Sequence, residues 1–333
     1  MKRVLTAAIL IPLVILALFK APLWLFTLLV FGVAVLAARE YLGIAKAQGF
    51  RPFYRVSYAA LTLSFVIIYM ISYVVAQFSI AAADGQAVTV GMDIISVFGM
   101  SMLWSIAVIP AVVLLVPLGL LLVSMRREPL SSALPDAAVS YLLVPYVGLT
   151  LGLLPILRSA RNGALFLLCL MLLVWCGDIA AYYVGRAFGK HKLAPQISPG
   201  KTWEGAVASV IAAIAVGLVL FHYINALASA LRSAHALSIP NAHPIFTLPP
   251  LWLVALFAAG VNIAAQLGDL VESALKRGAG VKDSGALLPG HGGMLDRIDA
   301  LLFALPVGFI FYVAGLSRYF SSGASGSVGF VAR

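Results

Sequence analysis

The chain returns repeatedly to stretches of about 20 apolar residues, the length of helix that spans a bilayer. That repetition limits its fold more than any other feature. In lipid, each backbone N–H and C=O must be paired by the protein itself, so only helices and closed β-barrels cross a membrane. A barrel would read as short segments of alternating polarity. The stretches here, such as 164–185, are continuously apolar. Composition agrees: 62% of residues are hydrophobic, 10% are charged, and the mean hydropathy is +1.05. Soluble domains carry about 25% charged residues, and a chain this apolar cannot cover a water-facing surface. The expected fold class is an all-α, polytopic integral membrane protein. The two cysteines, Cys169 and Cys176, lie in one apolar stretch and are read as buried thiols rather than a disulfide framework. Met1-Lys2-Arg3 and the apolar run after it are read as an uncleaved first helix.

The expected spans are 4–19, 22–38, 56–76, 94–122, 137–157, 164–185, 204–224, 250–268 and 299–316, about nine in all. The fourth is long, and Pro110 and Pro117 could kink it or split it. Charge decides between these. Cytoplasmic loops carry the excess of Lys and Arg. With nine spans and a cytoplasmic N-terminus, sixteen of the 22 lysines and arginines fall inside, from Lys2 and Arg3 to Lys282 and Arg297. Splitting the fourth span flips every later loop and divides them evenly, so one long, kinked helix is preferred. The net charge of +10 then describes a basic cytoplasmic face suited to anionic headgroups or nucleotides. Because the charge follows topology, it does not argue for nucleic acid. The organisation expected is a transmembrane scaffold of four spans over 1–136, a catalytic region of five spans with cytoplasmic loops over 137–318, and a flexible tail over 319–333, Ser/Gly-rich from Ser321 to Gly329.

Three polar clusters in the second half carry the chemistry. Asp178, in Gly177-Asp178-Ile179-Ala180-Ala181-Tyr182 of the sixth span, is an ionisable residue at membrane depth and hence a functional candidate. The plain alternative is a carboxylate paired to a neighbouring helix for packing. Next, Ser198-Pro199-Gly200-Lys201-Thr202-Trp203-Glu204-Gly205 contains Gly-Lys-Thr. A P-loop also needs a glycine five positions earlier, where Pro195 stands, and a preceding strand, so that motif is rejected. A basic loop entering a helix near Lys201 remains, suited to a phosphate. The densest cluster runs from Gly268 to Asp299. Asp296 and Asp299, three apart, share one helix face. The loop after Asp269 leaves and returns to the same membrane face, so the three carboxylates can converge. One or two carboxylates plus substrate phosphates is the usual setting for Mg²⁺. Lys276, Arg277, Lys282 and Arg297 supply positive charge. Gly290, Gly292 and Gly293 around His291 suggest close backbone approach. The plain alternative is a charged loop in which Asp296 helps to cap a helix.

The run from Ser273 to Asp299 resembles the signature of the phosphatidate cytidylyltransferase (CDP-diacylglycerol synthase) family of bacterial type. That signature reads Ser-x-apolar-Lys-Arg, then Lys-Asp-x-small, then Pro-x-His-Gly-Gly-apolar-x-Asp-Arg-apolar-Asp. Ser273, Leu275, Lys276, Arg277, Lys282, Asp283, Gly285, Leu288, Pro289, His291, Gly292, Gly293, Met294, Asp296, Arg297, Ile298 and Asp299 fill it. Gly177, Asp178, Ala181, Tyr182 and the stretch from Ser198 to Gly205 also look like the family, though Ile179 stands where a serine is common. The resemblance covers about 137–316.

It implies the reaction of CTP with phosphatidate to give CDP-diacylglycerol and pyrophosphate in phospholipid biosynthesis. It also implies Mg²⁺, replaceable by Mn²⁺, a second cation such as K⁺, a homodimer, and a place in the bacterial inner membrane with the site facing the cytoplasm. Asp269, Asp296 and Asp299 then look like the metal carboxylates, with Lys201, Lys276, Arg277 and His291 as catalytic companions. Asp178, Ser198, Lys201, Ser273, Lys276, Arg277, Lys282, Asp283, Gly292, Gly293 and Arg297 form the substrate-binding set. Two rivals stay open: a CTP-dependent polyprenol or lipid kinase, which would release CDP, and a transporter, which would be expected to show inverted repeats and midplane charge.

Overall fold

Among the described residues, seven helices are long and apolar enough to cross a membrane, and the chain is a multi-pass membrane protein of the all-α class. The computed structural model describes residues 12–83, 113–160, 162–233, 248–286, 292–317 and 319. A helix over 12–20 (α1) precedes α2 (Leu23–Ala47) and α3 (Tyr54–Ala83), and a shorter apolar helix, α4 (Val113–Ser124), follows. Helices α5 (Ala133–Leu143) and α6 (Thr150–Ser159) form one span, Leu130–Ser159, joined through a π turn at Val144–Leu149. Then come α7 (Gly163–Phe188), strands β1 (Lys192–Ala194) and β2 (Ser198–Thr202), α8 (Trp203–His222), α9 (Ile224–Ser233), α10 (Leu251–Gly278) and α11 (Leu295–Phe311), which continues through a π turn at Tyr312–Leu316. Seven of the expected spans correspond to these helices. The other two, 4–19 and 94–122, fall partly outside the described residues, as does the tail from Ser321.

Local chemistry sets the boundaries. Pro22 and Pro250 hold extended backbone just before α2 and α10, where a missing N–H costs nothing. Pro145 sits inside the π turn, whose widened ring accommodates a residue without an N–H. Thr202 caps α8 by accepting from the Gly205 N–H at 3.2 Å.

Small residues bring the second-half helices together, the usual solution where lipid supplies no hydrophobic drive between spans. α7 packs along α8, and α10 along α8 and α11. A Cβ on Gly177 would overlap the Asn262 amide of α10 and approach Ser209 of α8 at 2.8 Å. One on Gly217 would meet Ala258 at 3.1 Å and Leu173 at 3.3 Å. Deeper in the bundle, Phe166 stacks near Phe257 and Tyr312 at centroid distances of 5.5 and 4.9 Å. Cys169 is buried, and both cysteines are free.

The charged connections read from the sequence as lying on one side do meet at one end of the bundle. Arg51 donates from its backbone N–H to Asp136 and from its guanidinium to the Glu128 carbonyl. Arg277 donates to the Ile197 carbonyl. At the other end, Arg158 donates to the Leu18 and Ala21 carbonyls, and Ser79 to Ser159. The segment between α7 and α8, expected as a loop, contains the short antiparallel pair β1–β2, with Lys192 opposite Thr202 and Ala194 opposite Ser198.

Candidate active site

Two ion-paired lysines organise the charged end of the bundle. Lys201, the residue before the α8 cap, reaches across to α10 and pairs with Asp269 at 2.8 Å. Ser273, one turn on, donates to the same carboxylate at 3.3 Å. Lys276, a further turn along α10, lies between two carboxylates: Glu272 on its own helix and Asp296 on α11, the latter at 2.6 Å. The side chains are 12% exposed for Lys276, 0% for Glu272 and 9% for Asp296. That cluster is therefore withdrawn from water, where an unpaired charge would be costly.

Asp296 is the most heavily bonded of the expected carboxylates. Its Oδ1 takes Lys276, while Oδ2 accepts from the Ser284 N–H and hydroxyl, both at 2.9 Å, and from the Gly293 N–H at 2.7 Å. The reach back to Gly293 is a helix-capping contact, so capping is one part of what Asp296 does. The glycines make this fold-back possible. Gly292 has φ +73°, and a Cβ there would strike the Asp296 carboxylate. One on Gly293 would strike Glu40 and Ser284. Gly293→Ala is accordingly expected to cost on the order of 1–3 kcal/mol of stability, the usual range for overpacking, read as a lower thermal midpoint in detergent.

Asp178, Asp269 and Asp299 make a second, looser group. Asp178 and Asp299 each lie within electrostatic reach of Asp269, and Asp178 also of Lys201. Gly268 lets α11 approach so closely that a Cβ there would overlap the Asp299 carbonyl. Among the described residues Asp299 accepts one hydrogen bond, 2.8 Å from the Ala300 N–H. The donor chemistry of this group, hard carboxylate oxygens, fits Mg²⁺. As placed, no three His, Cys, Asp or Glu side chains among the described residues enclose a metal ion. Lysine ammonium groups sit on Asp269 and Asp296 instead.

The remaining candidates are distributed unevenly. Arg277 ties the hairpin to α10, donating to the Ile197 and Val281 carbonyls at 3.2 Å each. Lys282, Asp283 and Arg297 are exposed around the loop, and the Asp283 Cβ lies beside Gly292. Ser198 begins β2. His291 and Gly290 lie outside the described residues. Three residues were not assigned from the sequence. Glu272 is fully buried, and its i, i+4 spacing to Lys276 was a readable signal. Tyr146, in the π turn, lies within electrostatic reach of Glu272 and Asp299. Glu40 of α2 bonds Ser284, Met294 and Leu295. Its only sequence signal was an acid at the end of an apolar span.

Residues 1–314 match the family model described as "Cytidylyltransferase family". Similar individual proteins include phosphatidate cytidylyltransferases of Staphylococcus haemolyticus strain JCSC1435, 40% identical over 172 residues, and of Haemophilus influenzae strain ATCC 51907, 41% identical over 172 residues. The matched stretches cover 52% and 51% of this chain, and 57% and 54% of the respective relatives. The chain thus spans a little over half the length of the relatives it matches. The family model covers nearly the whole sequence, including every acidic and basic residue of the site just described: the chain belongs to the cytidylyltransferase family.

Proposed function

We propose that the protein is a phosphatidate cytidylyltransferase, forming CDP-diacylglycerol and pyrophosphate from phosphatidate and CTP. The observation that carries the reading is the pairing of Lys201 with Asp269 and Lys276 with Asp296, beside Asp178 and Asp299, at one end of a membrane bundle. Chemistry between two phosphates needs that mixture of anionic and cationic groups, and needs it where a lipid headgroup and a water-soluble nucleotide can meet.

The lipid phosphate monoester is already anionic at neutral pH. Its oxygen attacks the α-phosphorus of CTP, forming the new P–O bond. The bond from that phosphorus to the β-bridging oxygen breaks, and pyrophosphate leaves with the electron pair. No Ser or Cys nucleophile is required. Catalysis of this kind rests on positioning and on neutralising charge. Lys201 and Lys276 would bind phosphate oxygens and draw the two substrates together, while Arg277 keeps the hairpin against α10. Asp269 and Asp299 would hold Mg²⁺, with Asp178 beside them. Oδ1 of Asp296 reaches a cation only where Lys276 releases it. The metal would supply charge neutralisation over the phosphates. A second cation such as K⁺, a homodimer, and a bacterial inner-membrane location with this end facing the cytoplasm belong to the same proposal. The crowding of cations at this end supports that orientation.

The test is turnover of phosphatidate and CTP by the purified, detergent-solubilised protein with Mg²⁺, following lipid and nucleotide products together. CDP-diacylglycerol and pyrophosphate are expected, lost on chelation and restored by Mg²⁺ or Mn²⁺. CDP without pyrophosphate would replace the reading with a lipid kinase. Folded protein that turns over no lipid would sink both.

A further inference from the structure

We propose that Glu40, on helix α2 of the N-terminal half, is a positioning residue for the site, clamping the segment that carries Asp296. This inference rests on the cytidylyltransferase reading for its kinetic part only.

The Glu40 carboxylate accepts from the Met294 N–H at 2.9 Å, the Leu295 N–H at 2.8 Å and the Ser284 hydroxyl at 2.8 Å. The first two are orphan donors at the start of α11, where a negative charge is favoured. An acid more than 250 positions away in sequence therefore fills the seat that a phosphate would otherwise find there. The third contact makes the link to chemistry. The Ser284 hydroxyl has one proton and lies between two carboxylates, Glu40 at 2.8 Å and Asp296 at 2.9 Å. Ser284 and Gly293, the two residues that touch Oδ2 of Asp296, are also the ones Glu40 presses against. A Cβ on Gly285 would approach the Glu40 carboxylate at 2.6 Å, and one on Gly293 would overlap it, so glycine at both positions is what admits it.

A second grip from α2 holds the other end of the same connection. Gln48, the residue that caps the C-terminus of α2, donates to the Leu275 carbonyl of α10 at 2.7 Å, beside Lys276. α2 therefore pins the end of α10 and the start of α11, and with them the Lys276–Asp296 pair. Each of these contacts is polar, even where the residue it reaches, as at Leu295, belongs to the buried core. They act on polar groups of the candidate site, which makes α2 a part of that site's geometry.

The test uses the full chain in detergent, comparing Glu40→Gln and Glu40→Asp with the wild type. Three quantities are measured: thermal midpoint, hydrogen exchange at 283–286 and 292–297, and kcat and KM for CTP and phosphatidate. In Glu40→Gln, an NH₂ replaces one acceptor and faces a donor. Faster exchange at 283–286 and 292–297 is expected, with a small change in midpoint and a fall in kcat on the order of 10²-fold, the scale of a small misplacement. Glu40→Asp keeps the charge on a shorter arm and is expected to recover part of kcat. Unchanged exchange and kcat in Glu40→Gln would overturn the proposal, as would a fall in activity that merely follows loss of folded protein. Exchange is read without turnover. A wild type that makes no CDP-lipid, together with local loosening in Glu40→Gln, would therefore support the clamp and sink the reaction.

Discussion

Asp299→Asn should abolish turnover while leaving the protein at least as heat-resistant as the wild type. Asp299 follows Asp296 by three residues in the first turns of α11, and it feels the negative charges of Asp269 and Asp178 against the positive charge of Lys276. Among the described residues its single hydrogen bond comes from the Ala300 N–H. An asparagine oxygen can accept that bond equally well. What the substitution removes is a like charge from an acidic cluster whose two nearby cations are already engaged, Lys201 on Asp269 and Lys276 on Glu272 and Asp296. Relieving repulsion stabilises, and sites arranged for function commonly give up stability in this way. Turnover should fall on the order of 10³-fold, the scale of removing a principal electrostatic group. Asp296→Asn should behave differently, losing both activity and several degrees of midpoint, because its two oxygens accept from Lys276 and the Ser284 and Gly293 N–H groups and share the Ser284 hydroxyl with Glu40. If Asp299→Asn lowered the midpoint and kept turnover, Asp299 would be a structural residue and the metal assignment would fail.

The contrast between these two aspartates shows where sequence reading stops. Their spacing placed them on one helix start, and Asp269 at the end of the preceding span, because those facts depend on neighbours in the chain. What divides them is the company each keeps. Asp296 is enclosed by Ser284, Gly293 and Lys276, whereas Asp299 faces the other acids, and spacing alone does not report that. Hydropathy located the seven long helices because it measures the apolar slab, yet it ended the eighth expected span at 268 while α10 runs to Gly278. Helical hydrogen bonding continues past the point where apolar residues give out, and that extension carries Glu272 and Lys276. The β1–β2 pair escaped notice because strands of three and five residues are too short to show alternation. Glu40 escaped for a stronger reason: its partners, Ser284 to Leu295, are remote in sequence, and only the packing of α2 against the second half brings them together.

Lys276→Met is expected to be the most disruptive single change at the site, and its cause can be isolated. Lys276 holds two carboxylates of nearly complete burial, Glu272 and Asp296. Removing the ammonium leaves both without it, and breaking a buried pair in this way costs about 3–5 kcal/mol. Little folded protein should survive extraction into detergent. Adding Glu272→Gln removes one of the stranded charges, so the double variant should regain much of the midpoint. Glu272→Gln alone, which leaves Lys276 on Asp296, should be milder than Lys276→Met. The coupling energy from this cycle is expected at about 1–3 kcal/mol. Turnover should not return with stability, because the restored protein still lacks a cation beside Asp296 to meet the phosphates. A Lys276→Met protein as stable as the wild type would show that this ion-pair group does not join α10 to α11. A double variant that regained both stability and turnover would confine Lys276 to holding the helices and would leave Lys201 as the phosphate-binding lysine.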